Sequence, residues 1–236
     1  MYIQNKILAV IGARGESKGL PNKNILPCGD MPLIYWSIQA AKKSRYIDFA
    51  LVSTESVKIA EIAISCGAEV PFLRSPELAS DTATIDVAIH EAILKLASNN
   101  RIFDYILWLQ PTSPLRTSDH IDCAIEQYFL KKRYDDETMV SVYQAGSKSG
   151  WLMEEKDKHF IDFCFYKRNL IQQRQALKKY FIPNGAFYFS PIKTFDKSFY
   201  TDRPQFFLMD IDDSVDIDDA KDFALADSIL RSRNRG

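Results

Sequence analysis

Cysteine is scarce in this chain, with 4 residues in 236 and no Cys-x-x-Cys pair. That spacing excludes a disulfide framework or a zinc ribbon, and it predicts Cys28, Cys66, Cys123 and Cys164 to be buried apolar thiols. Histidine is scarcer still. His90, His120 and His159 form no metal-ligand spacing, so packing or surface roles are expected for all three. An excess of either charge is missing too: 30 basic against 31 acidic side chains leave a net charge of -1, which points to neither a nucleic-acid surface nor an anionic membrane. Any bound anion must be held locally. No apolar run approaches the ~20 residues of a membrane span. Met1 to Lys6 leads into an apolar segment without the basic region, long apolar stretch and cleavage site of a secretory signal. A soluble cytoplasmic protein is the expectation. Internal repeats and low-complexity tracts are absent, as are the Walker-type phosphate loop and the Gly-x-Gly-x-x-Gly of dinucleotide folds. Ser17, Ser53 and Ser113 stand in no nucleophile-elbow context, so no Ser-His-Asp triad is expected.

What is present is an alternation of short β-rich apolar runs with longer stretches of helical period, the pattern of βαβ units around a largely parallel sheet. Strands are predicted at Ile7–Ile11, Phe49–Val52, Val70–Leu73 and Tyr105–Leu109, and helices at Leu33–Lys43, Val57–Ser65, Ile85–Ala97 and Asp119–Phe129. From about Ala145 to Lys179 the rhythm breaks into mixed aromatic and basic residues, which predicts an insertion leaving the sheet. Strands return at Ala186–Phe189 and Phe206–Met209, before a closing helix over Asp218–Leu230. The main α/β domain is therefore expected over residues 1–144 and 183–236, with the insertion at 145–182. In open α/β sheets ligands sit at the carboxyl ends of strands, so the loops after Ile11, Val52 and Leu109 should share one site.

Three segments carry chemistry. Gly12 to Asn24 combines Gly12, Gly15 and Gly19 with Arg14, Lys18 and Lys23, so it offers backbone N–H groups and fixed positive charge directly after a buried strand. Such a loop suits a triphosphate. Leu109 to Arg116 places two prolines around a Thr-Ser pair, stiffening the turn that presents Gln110 as both donor and acceptor. The acidic run Met209 to Asp219 contains two Asp-x-Asp pairs, Asp210 with Asp212 and Asp216 with Asp218. In an extended segment each pair points to one side with its members about 7 Å apart, suiting a hydrated Mg²⁺. Spacing alone does not choose between the pairs, and an N-cap role for Asp216 or Asp218 competes with ligation.

Together these segments resemble the CMP-sialic acid synthetases, or acylneuraminate cytidylyltransferases, from Ile7 to about Leu230. The match runs through Ala13, Arg14, Ser17, Lys18, Gly19, Leu20, Pro21, Lys23 and Asn24, then Val52 to Thr54, Ala68 to Arg74, Glu77 to Thr82, Leu109 to Arg116, Arg174 with Gln175, Asn184 to Tyr188 and Ser214 to Asp218. The resemblance implies a Rossmann-like three-layer nucleotidyltransferase fold with a mostly parallel sheet and a small insertion that forms a homodimer. It implies CTP and a nine-carbon keto-acid sugar as substrates, and Mg²⁺, with Mn²⁺ as substitute, as cofactor. Arg14 and Lys23 would act on the triphosphate, and Asn24 with Arg74 would lie near the cytidine. Gln110, Arg174 and Tyr188 would line the sugar pocket, with Ala13, Ser17, Lys18 and Thr82 among the substrate contacts. Asp216 and Asp218 would hold the metal. Glu16 departs from the glycine or neutral residue of many relatives, and beside a triphosphate its carboxylate is unfavourable unless it faces solvent or Lys18.

The implied chemistry is attack of an anomeric hydroxyl on the α-phosphorus of CTP, with loss of pyrophosphate, a reaction governed by positioning and charge. No His or Glu base stands out. The same transfer to legionaminic, pseudaminic or KDO sugars, a sugar-1-phosphate nucleotidyltransferase and a noncatalytic nucleotide-binding module are the competing readings.

Overall fold

The computed structural model describes all residues except 1–3, 16–18, 80–83, 147–151, 158–159, 165–178, 196–197, 203 and 235–236. Its centre is β1 (Ile7–Gly12), whose side chains from Ile7 to Ile11 are buried on both faces. A strand this apolar on both sides is stable only between two layers. Parallel neighbours flank it, with β4 (Phe49–Ser53) on one side and β5 (Tyr105–Leu109) on the other. Beyond β5 the sheet continues with β9 (Phe181–Pro191), β6 (Met139–Gln144) and β10 (Gln205–Leu208). β9 runs antiparallel to both its neighbours, and β10 lies parallel to β6.

Alternation along the strands divides the core. Ile7, Ala9 and Ile11 with Leu107, Leu109, Phe187 and Phe189 face helices α1 (Leu33–Lys43), α2 (Val57–Ser65) and α4 (Ser118–Lys131). Leu8, Val10, Ile106, Trp108 and Tyr188 face α3 (Ile85–Ala97). The short hairpin β2–β3 (Pro27–Cys28, Met31–Pro32) and the closing helix α5 (Ala220–Asn234) form a smaller cluster with Leu115 and Ile217. That cluster ties the acidic segment to the end of β5, and the N–H of Ile217 donates to Thr112 O at 2.8 Å.

Two strand expectations differ from the structure. Val70–Leu73 is no strand. Only Glu69 bridges to Leu51, and Pro71 then removes the N–H that a further rung would need. β6 is a strand where none was expected, because its single run of apolar residues after a polar turn carries no breaker to mark it. The hairpin β7 (Met153–Asp157) and β8 (Phe160–Phe163) pairs with itself and stands apart from the six-stranded sheet. Of the cysteines, all free, Cys28 is buried but Cys123 and Cys164 are exposed, against expectation. Among the described residues no helix is long and apolar enough to cross a membrane.

Candidate functional site

β1 has β4 on one side and the later β5 on the other, so the chain's direction of progress across the sheet reverses at its carboxyl end. The loops after β1 and β5 open there onto one cleft of about 480 Å³, lined among others by Arg14, Lys23, Arg74, Gln110, Tyr188 and Asp216. The loop after β4, also expected there, adds no lining residue and instead braces Gly15 through Glu55 and Arg74 through Thr54 O. A crevice at such a switch point is where an open α/β sheet takes its ligand.

The loop after β1 is braced from within. Ala13 is buried and donates its N–H to Ser53 O, so it lies beneath the cleft rather than in its lining. Gly15 N–H, expected to face a ligand, donates instead to Glu55 Oε1 at 2.5 Å. Positive charge in this loop thus comes from side chains. Asn22 adopts a left-handed φ of 56°, which asparagine tolerates, and turns the chain into the short 3-10 helix that carries Lys23 and Asn24. Asn24 is buried and its Nδ2 donates to Arg14 O at 3.0 Å, tying the two ends of the loop together. Lys23 Nζ donates to Ile217 O at 2.7 Å, which sets the ammonium group beside the acidic segment.

Arg74 reaches back over the end of β4, donating from Nε to Ser53 Oγ at 3.0 Å and from Nη2 to Ser53 O at 2.7 Å. Burial pulls its pKa down, and the carboxylates of Glu55 and Glu91 oppose that shift. The guanidinium stays charged.

The two Asp-x-Asp pairs separate clearly. Asp216 and Asp218 line the cleft, whereas Asp210 and Asp212 are exposed and outside its lining. Capping of α5 falls to neither pair: Asp219 Oδ1 accepts from the N–H groups of Lys221 and Asp222, and Asp222 Oδ2 accepts from those of Asp218 and Asp219. Burial raises the pKa of Asp216, and Asp218 adds to the rise. A Thr112 hydrogen bond and the charge of Lys23 act the other way. Gly185 has φ +69°, and a Cβ there would lie 2.6 Å from Gln110 Oε1 and 2.7 Å from Asp216 Oδ2. Only glycine lets these two side chains converge.

Tyr188 follows on β9, its hydroxyl pKa raised by burial and by a hydrogen bond with Tyr200. Ser17, Lys18, Thr82 and Arg174 lie outside the described residues. Trp108 is a lining residue that sequence reasoning missed. Its ring lies so close over Gly12 that a Cβ there would sit 2.1 Å from Cη2. The signal was available in the strand period, because Trp108 precedes Gln110 by two residues and so shares its face. Thr112 also belongs to the lining, inside a motif singled out for Gln110 alone.

Among the described residues no three His, Cys, Asp or Glu side chains group to hold a metal. Two carboxylates remain, Asp216 and Asp218. Mg²⁺ commonly binds through one or two carboxylates and completes its shell with water and substrate phosphates, so this oxygen-only pair fits a site finished by a nucleotide.

The family model described as cytidylyltransferase matches residues 8–226. The chain is 33% identical over 230 residues to a CMP-N,N'-diacetyllegionaminic acid synthase from Legionella pneumophila, covering 95% of this chain and 96% of that one. It is 35% identical over 238 residues to an N-acylneuraminate cytidylyltransferase from Escherichia coli, where 99% of this chain spans about half (54%) of the relative. In fold it is similar to a CMP:2-keto-3-deoxy-manno-octonic acid synthetase solved with CTP, with TM-score 0.72, 12% identity and coverage of 97% and 99% of the two chains.

Proposed function

Since the chain belongs to the cytidylyltransferase family, we propose that it transfers CMP from CTP to the anomeric hydroxyl of an N-acylneuraminate, releasing pyrophosphate and forming a CMP-sialic acid. The observation that carries this reading is the convergence on one cleft of Arg14, Lys23 and Arg74 with Gln110, Tyr188, Asp216 and Asp218. Cations for a triphosphate, polar groups for a sugar acid and a carboxylate pair for a hard cation meet there. Nearly end-to-end similarity to the Legionella protein favours a second reading, transfer to a legionaminic acid.

In the reaction the sugar hydroxyl oxygen bonds to the α-phosphorus while the bond to the departing pyrophosphate breaks and the hydroxyl proton passes to solvent. Arg14 and Lys23 offset charge on the phosphate oxygens, an effect strengthened where water is excluded. Arg74, fixed on Ser53, and Asn24 orient the cytidine end. Gln110 and Tyr188 orient the sugar across the cleft, with Arg174, Ser17, Lys18 and Thr82 assigned to substrate contact by the same reading. Asp216 and Asp218 would hold Mg²⁺ or Mn²⁺, which supplies positive charge to the transferring phosphate and acidity to the attacking hydroxyl. We further propose a homodimer formed through the 145–182 insertion, and a cytoplasmic location where CTP is at hand.

Pyrophosphate release from CTP should be measured with N-acetylneuraminic, legionaminic, pseudaminic and KDO acids in turn. Turnover is expected with the neuraminic or legionaminic acid, lost in EDTA and restored by Mg²⁺. Preference for pseudaminic or KDO acid would overturn the substrate assignment, and no release with any acid would overturn the reading itself.

A further inference from the structure

Arg116 lies directly behind the cleft, 2% exposed, and among the described residues no carboxylate pairs with it. Burying a guanidinium without a counter-ion is costly and persists only where its hydrogen bonds are needed. Those bonds are specific. Nη1 donates to Gln110 O at 3.2 Å and to Ala186 O, while Nη2 donates to Ser37 Oγ on α1. Ser37 Oγ itself donates to Gln110 O at 3.3 Å.

The place of these acceptors gives them meaning. The antiparallel ladder of β5 and β9 ends at the pair Leu109 and Phe187. Gln110 and Ala186 would form the next rung, and it is their two carbonyls that Arg116 takes. The guanidinium replaces a missing rung where the strands begin to part. Just beyond it stand the Gln110 side chain, Gly185 within β9 and Asp216, packed so closely that a Cβ on Gly185 would lie within 2.7 Å of both side chains.

We infer that Arg116 is a positioning residue for the transfer reaction, setting the separation of Gln110 and the 185–188 stretch of β9 to which the sugar acid must fit. The inference rests on the proposed function. Lysine would preserve the charge but has no planar fork with which to reach three acceptors on three elements. A second cleft of about 390 Å³ is bordered by Tyr35, Trp36 and Arg116.

The test is steady-state kinetics on Arg116→Met and Arg116→Lys, with CTP affinity measured separately by calorimetry. For both variants kcat/KM for the sugar acid should fall about 100-fold, the scale of a small misplacement of a positioning group, with CTP affinity changed less than about threefold. Guanidinium ion added to Arg116→Ala should restore part of the lost rate. Equal losses for sugar and CTP, or full activity in Arg116→Lys, would overturn the inference. Should Arg116→Met fail to fold, Ser37→Ala removes the Nη2 acceptor and should show the same split in milder form, an unchanged sugar kcat/KM counting against the inference. If wild-type enzyme transfers CMP to no keto-acid sugar, the proposed function falls by itself. A crystal structure of Arg116→Lys then decides the positioning role: Gln110 drawn away from Ala186 supports it, and an unchanged spacing refutes it.

Discussion

Asp216 and Lys23 are held close enough to influence one another, Lys23 by its bond to Ile217 O and Asp216 by its bond with Thr112. Burial raises the Asp216 pKa above its ordinary 3.8. A carboxyl whose folded pKa is raised contributes most to stability below its unfolded pKa and loses that contribution as pH rises. At neutral pH the charge of Asp216 is therefore a stability cost, and Asp216→Asn should leave the thermal midpoint equal to or above that of wild type. Activity should move oppositely. Asp216→Asn and Asp218→Asn are expected to be severely impaired, whereas Asp210→Asn and Asp212→Asn, on exposed carboxylates, should be mild; a reversed ranking in kcat would place the metal on the wrong pair. Lys23→Ala should lose about 100- to 1,000-fold in kcat, the cost of removing one contact to developing charge. Folded Lys23→Ala retaining more than half of wild-type kcat/KM would contradict the loop assignment. Both Asp pairs were legible in the sequence, but spacing could not rank them as ligands, and the later pair read equally well as a helix cap. The capping contacts of Asp219 and Asp222 settled which carboxylates the helix uses.

Among the elements, α4 shows how local signals and tertiary contacts divide the work. Thr117 caps it, accepting from His120 N–H, while His120 Nδ1 accepts from Thr117 N–H. Because Nδ1 must be unprotonated to accept, the cap needs a neutral ring. Burial lowers the His120 pKa, against the nearby Asp213 charge. The sign follows directly: the contribution is complete above the ordinary 6.5 and is lost as pH falls through the depressed folded value. Thr117→Ala should cost about 1 kcal/mol, or about 2–4 °C in a domain of this size. Differential scanning calorimetry at neutral pH would check it, and an unchanged midpoint would show the cap to be idle. α1, α2 and α3 match their expected bounds because their 3.6 period is a local property. The closing helix runs over Ala220–Asn234 instead of Asp218–Leu230, its ends being set by the Asp219 and Asp222 caps and by packing. Strands were less so: Val70–Leu73 has strand composition, but Pro71 and an edge position leave it nothing to pair with.

On the scale of the whole molecule, an exposed apolar surface lies at the β10 edge of the sheet. Phe206 and Leu208 are 48% and 49% exposed, and Phe206 stacks on Phe181 at the start of β9. β6 and β9 also frame the neck of the 145–182 insertion, with Ala145 N–H donating to Tyr180 O. Exposed apolar area on an edge strand is an association surface unless covered. Light scattering should therefore give twice the 27.0 kDa chain mass, and Phe206→Asp with Leu208→Asp should shift it toward the monomer. A wild-type monomer at micromolar concentration would refute the dimer. The sequence by itself determined the helices, the central strands, the phosphate-type loop, the Gln110 turn and the acidic run, because each is written in local periodicity, breakers and charge. Only the tertiary structure decided that Trp108 lines the cleft, that the Asp216 and Asp218 pair favoured by the resemblance lies in that lining while Asp210 and Asp212 do not, and that Arg116 bridges the parting of β5 and β9. Those facts depend on which strands become neighbours, and pairing between residues 70 positions apart leaves no trace in local spacing.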